Sequence, residues 1–257
     1  DGNILIELET GQESNFRLHI RIPEWTRDNP VWGELYSFYA IQEVEPEIRV
    51  NGEKAGIRQV NGYAVLEQAW KAGDRIELFM PMPVRKIIAH DSIKADRGRF
   101  ALQRGPLVYC LEDIDQEKPG VRHVVADIDG TFTSEVNDTL FSGITTVSFR
   151  GSDVVSDIPG GVTIDPQKRD FHAIPYAYWA NRGPGQMLVW VPHDPDFASP
   201  TPAPTIAYSS RKSSSGAKGD LKLLSDQYEP IDANDHSIGY VHCWPEKDTS
   251  EWIVYEL

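Results

Sequence analysis

Few stretches of this chain combine residue types that could do chemistry. The densest is FHAIPYAYWANRGPGQMLVWVP at 171–192, where Trp179, Asn181 and Arg182 stand beside tyrosines and a Gly-Pro-Gly turn. An aromatic ring can stack on a sugar while Asn and Arg hydrogen-bond its hydroxyls, so these three are candidate carbohydrate contacts. The competing reading of the same rings is sandwich core, because Tyr and Trp bury large areas while their polar tips find partners. Trp244 and Trp252 are a second candidate stacking pair.

Metal-ligand residue types gather at Asp235, His236, His242 and Cys243, within nine positions. Closeness in sequence does not supply convergent geometry, and a His or Cys near a buried strand is more often a packed side chain. Asp226, Asp232 and Asp235 offer carboxylate oxygens to calcium, but the fixed spacing of a calcium loop is missing. No metal site is assigned in this chain. Nucleophile elbows, phosphate-binding glycine loops, zinc-protease helices and paired-cysteine zinc motifs are all absent from the sequence. Sequence alone also cannot pair two of the many acidic residues across a cleft at the roughly 5 to 10 Å that glycoside hydrolysis requires.

The elements that must position these residues read as strands. NFRLHIRI at 15–22 alternates Phe16, Leu18, Ile20 and Ile22 against Arg17, His19 and Arg21, the period of a half-buried strand. Asn51-Gly52 and Asn61-Gly62 each sit between short β runs, the strongest local hairpin signal. Residues 24–45 hold no sustained period and read as a long excursion containing Trp25, Trp32, Tyr36, Phe38 and Tyr39. The run 171–192 itself reads as a hairpin, with Gly183 and Gly185 available for positive φ and Pro184 stiffening the turn. Turn signals every 8 to 12 residues, with no long helix between them, predict an all-β fold. The expectation is two consecutive antiparallel β-sandwich domains, 1–113 and a smaller 114–195, divided near the acidic loop at 113–120. A linker at 196–220 then leads to a partial jelly-roll-like module at 221–257.

The chain has 257 residues, 40% of them apolar, enough for more than one core. A formal charge of −14, from 39 acidic and 25 basic residues, opposes binding to nucleic acid or to anionic lipid. No apolar run approaches the roughly 20 residues of a spanning helix. Cys110 and Cys243 are the two cysteines, too few for a disulfide framework. Because the sequence begins at Asp1, an upstream leader or domain is an open expectation.

RIPEWT at 21–26, VNGEKAG at 50–56, NGYAVLEQAWKAGDRIELFMPMPVR at 61–85, RFALQRGPLVYCLE at 99–112 and AIPYAYWANRGPGQMLVWVP at 173–192 stand in this order. Together they resemble the C-terminal β region of the β-L-arabinofuranosidase group, glycoside hydrolase families 127 and 146, over roughly residues 1–195. The resemblance implies an upstream (α/α)6 barrel in the same polypeptide that carries the chemistry, with a zinc-bound cysteine nucleophile and glutamates. Neither Cys110 nor Cys243 lies in the clustered-cysteine pattern of that site, so no catalytic residue is carried over and zinc is expected only in the barrel. The stretch 224–257 is similar to the opening of a discoidin-like module, a type that commonly binds carbohydrate. The implied role is a non-catalytic accessory region, with a carbohydrate-binding module as the alternative and a self-sufficient enzyme as a third reading. A polymer-degrading parent implies the periplasm or the cell exterior.

Overall fold

The computed structural model describes residues 2–27, 29–40, 45–118, 120–157, 161–198, 206–225, 239–243 and 248–256. The chain forms two compact units, Asp1–Ala198 and Ser199–Leu257. The fold is all-β, with antiparallel pairing throughout.

In the first unit the strands begin with β1 (Asn3–Glu7), β2 (Ser14–Arg21), β3 (Tyr36–Phe38) and β4 (Glu47–Val50). They continue with β5 (Glu53–Lys54), β6 (Arg58–Val60), β7 (Tyr63–Trp70) and β8 (Arg75–Phe79). Two sheets result, ordered β1-β8-β4-β5 and β2-β7-β6. They enclose one core around Ile48, Ala64, Trp70 and Ile76, each with no exposed surface. Alternation drives the pairing: β8 buries Ile76 and Leu78 while Arg75, Glu77 and Phe79 face out. Both Asn-Gly pairs form the expected two-residue hairpins, joining Val50 to Glu53 and Val60 to Tyr63. Asn51 and Asn61 take φ of 53° and 52°, and the following glycines 85° and 82°, as a primed turn demands.

The turn at Gly73-Asp74 carries the chain from one sheet to the other. Buried Asp74 accepts from the Lys71 N–H at 2.9 Å and from the Asn51 side chain at 3.0 Å, while Asn51 accepts from the Arg75 N–H at 2.9 Å. These contacts, the Lys71 N–H first, hold the Asp74 carboxyl below its ordinary pKa.

The remaining strands of this unit are β9 (Val84–Ala89), β10 (Arg99–Arg104), β11 (Leu107–Glu112), β12 (Val124–Ala126) and β13 (Phe132–Asn137). After them come β14 (Ile144–Asp157), β15 (Gly161–Pro175), β16 (Met187–Leu188) and β17 (Val191–Pro192). Together with β3 these nine strands make one ten-stranded sheet whose main path runs β12-β14-β15-β11-β10-β9-β3. Strand β3, which lies in sequence between β2 and β4 of the first core, thus belongs to this second sheet, pairing Tyr36 with Ala89 and Phe38 with Ile87. The acidic loop at 113–120, where composition suggested a divide, joins strands of one sheet, since β11 before it pairs with β15 after it. Phe100, Val121, Val124 and Phe171 are fully buried at the centre of its core.

The run 171–192 does not fold as a hairpin. Strand β15 ends at Pro175, a 3-10 turn covers Tyr176–Tyr178, and the second run leaves β15 to pair elsewhere. Leu111 of β11 pairs with Ala173 on one edge and with Leu188 on the other, so β15 and β16 flank the same strand. β17 pairs with β10 instead. The reason is that β10 and β11 part after the Leu102–Tyr109 pair, leaving backbone groups that 187–192 satisfies. Past β17 the chain stays packed: Ala198 is buried, and the Phe197 carbonyl accepts from Arg99 at 3.0 Å. The linker expected from residue 196 therefore begins with residues that still belong to the first unit.

The second unit contains a short helix at Ile206–Ser209 and a two-stranded sheet of β18 (Arg211–Ser214) with β19 (Ile253–Glu256). All four β19 residues are exposed.

Candidate functional site

The aromatic run sorts its rings by direction. Tyr178 turns inward, packing with Met187 and Val189 on the buried cluster of Cys110, Ile144 and Ile174, and stacks on Phe141 at 4.7 Å between centroids. Tyr176 and Trp179 turn outward, 45% and 40% exposed, with near-parallel rings 17° apart and centroids 5.9 Å apart. Core and surface readings of this stretch both hold, for different residues. Composition singled out Trp179 but treated Tyr176 only as a strand position; its place after Pro175, where β15 stops, is what frees its ring.

A charged frame holds the turn that follows these rings. The Arg182 guanidinium donates to both Asp115 carboxylate oxygens at 2.6 Å and to Glu112 Oε2 at 2.6 Å. The carboxylate side chains are only 7% and 9% exposed, and the Phe141 ring lies 5.2 Å from the cation. The hydrogen bonds from Arg182 to Asp115, then Glu112, raise the guanidinium's pKa further above its usual value. Glu112 Oε1 also accepts from the Ala180 N–H at 2.8 Å, which holds that alanine at φ 60°, a conformation unusual for a side-chain-bearing residue. Asp113 closes the other end, exchanging hydrogen bonds with Gln186 and accepting from Gly120 and Val121. Between these anchors Gly183 takes φ of 124°, as expected, whereas Gly185 needs no positive φ.

Arg182 is therefore a structural cation. Its charge is committed to two carboxylates, and a sugar hydroxyl would have to displace one of them. Asn181 is exposed on the same turn, its amide donating to the Trp179 carbonyl at 3.4 Å. Glu112 and Asp115, which position the turn, escaped sequence reasoning because they lie far from it along the chain.

The other candidates do not gather. Trp252 is 50% exposed in the second unit, where its backbone N–H donates to Ser215 Oγ at 2.9 Å. Trp244, Asp226, Asp232, Asp235 and His236 lie outside the described residues. His242 pairs through its backbone with Lys218 and meets the Tyr240 ring edge-on, and Cys243 is exposed. Among the described residues no three His, Cys, Asp or Glu side chains are placed to hold a metal. Burial, then Glu112 and Asp115, push the Cys110 thiol up to about 12, while both carboxylates hydrogen-bond Arg182.

Residues 1–82 match the family described as "Beta-L-arabinofuranosidase, GH127 middle domain", and residues 84–192 match "Glycoside hydrolase family 127 C-terminal domain". A curated relative, the non-reducing end beta-L-arabinofuranosidase of Bifidobacterium longum subsp. longum, is 29% identical over 191 residues, covering 69% of this chain. The chain spans 26% of that relative's length. Among solved structures, a GH127 beta-arabinofuranosidase superposes with a TM-score of 0.71 at 31% identity, covering 77% of this chain and 31% of its own. A GH127 beta-L-arabinofuranosidase from Geobacillus stearothermophilus T6 gives 0.64 at 32% identity, covering 75% and 28%.

Proposed function

The chain belongs to glycoside hydrolase family 127, and from that membership we propose that it is the non-catalytic accessory β region of a β-L-arabinofuranosidase. In this reading an (α/α)6 barrel upstream in the same polypeptide performs the hydrolysis on a carbohydrate substrate. Any zinc belongs to that barrel, and the parent works in the periplasm or outside the cell.

The observation that carries the reading is a group of uncovered apolar side chains on either side of β3. Trp32 is 100% exposed, Leu35 54%, Val31 49% and Tyr39 39%. Single exposed apolar residues are ordinary, but four large ones within nine positions, one of them an entire indole, favour a contact surface. The carboxylates whose charge reaches Cys110, Glu112 and Asp115, are both engaged by Arg182.

The test is release of L-arabinose from an aryl β-L-arabinofuranoside by the 257-residue chain, beside the same protein extended upstream through the complete preceding domain. Activity is expected in the extended protein alone. Turnover by the shorter chain would overturn the accessory role, and inactivity of both would overturn the substrate class.

A further inference from the structure

We infer that Tyr176 and Trp179 form a stacking platform for a neutral glycan, a role independent of the accessory contact assigned to Trp32. Three observations converge on it. The first is the geometry of the rings. The two rings are near-parallel, 17° apart, with centroids 5.9 Å apart. Much of both rings stays open, in keeping with exposures of 45% and 40%. The C–H-bearing face of a sugar carries slight positive charge and matches the negative face of an aromatic ring.

The second is rigidity. Trp179 donates its N–H to the Tyr176 carbonyl at 3.0 Å, and the next residue, Ala180, is held by Glu112. Tyr178, between the two rings, is pinned to Phe141 on the buried side. Binding would therefore cost little ordering of the platform. The exposed Asn181 supplies a polar group at its rim, as ring stacking alone does not orient a sugar.

The third is charge. Two carboxylates against one guanidinium leave the frame beside Ala180, the residue after Trp179, net negative, within a chain of formal charge −14. That field disfavours uronic acids and selects uncharged glycans.

Affinity electrophoresis of the 257-residue chain through gels containing linear arabinan, arabinoxylan, hydroxyethylcellulose or polygalacturonate tests the platform. Retardation is expected in at least one neutral gel and not in polygalacturonate. Trp179→Ala and Tyr176→Ala should each weaken it at least about tenfold, the loss expected for one stacked ring, while Tyr176→Phe should retain it. Circular dichroism and melting of each variant verify the fold. The inference is overturned by absence of retardation in every neutral gel, by retardation in polygalacturonate alone, or by unchanged retardation of the Tyr176→Ala/Trp179→Ala double variant. It is equally overturned if, in the upstream-extended protein, Trp179→Ala lowers the melting temperature and leaves glycan retardation intact, because the rings then serve a protein contact.

Discussion

Arg182 holds two carboxylates that have almost no water of their own, and the balance depends on all three. Removing the cation leaves Glu112 and Asp115 facing each other at 7% and 9% exposure. Arg182→Met should therefore destabilise the first unit by about 3 kcal/mol, the range for breaking a buried pair from one side. Urea unfolding measures it, and a change below about 0.5 kcal/mol, ordinary for a surface site, would show the frame to be superficial. Adding Glu112→Gln and Asp115→Asn should recover most of the loss, since neutral amides do not repel. At this scale the sequence was partly legible. Aromatic residues beside a Gly-Pro-Gly turn left core and surface readings both open, and the structure divides them, with Trp179 exposed and Tyr178 packed inward. The partners of Arg182 lie 67 and 70 residues away, a separation across which composition carries no information about pairing.

Elements whose geometry is set locally were the ones the sequence announced correctly. Each Asn-Gly hairpin needs only two residues with positive φ and flanking strands, and both formed. The aromatic run failed as a hairpin because its second half answers to β10 and β11, which nothing within 171–192 encodes. The switch between the two sheets of the first core shows how a local turn can still be a titratable joint. Asp74 has a lowered pKa in the folded chain, so its carboxylate adds stability above the ordinary aspartate value of about 4. That contribution is lost as pH falls through the lowered folded value. Melting temperatures of the native chain and Asp74→Asn should differ most near neutrality and converge as pH drops below about 4. A gap that stays constant or widens in acid would mean that Asp74 acts by shape alone.

At the scale of the molecule, the strip around Trp32 separates what the chain needs to fold from what it offers to others. Trp32→Ser should leave the melting of the 257-residue chain nearly unchanged, because nothing in its own unit covers the indole. In the upstream-extended protein the same change should lower the unfolding temperature by a few degrees. Equal melting of both extended forms would remove Trp32 from the interdomain contact. The all-β class was legible from turn spacing, but the allocation of strands was not, since β3 emerges from a stretch without periodicity and joins the far sheet. That allocation shapes how the protein is made. Synthesis delivers Tyr36–Phe38 long before Val84–Ala89 exists to receive it. The nascent chain must carry an unplaced strand, with the bare indole beside it, while the first core closes. Distant pairings of this kind slow folding and leave surface open to misassembly. The placement of β3 waits on Val84–Ala89, which lies within the region matched by the second family domain.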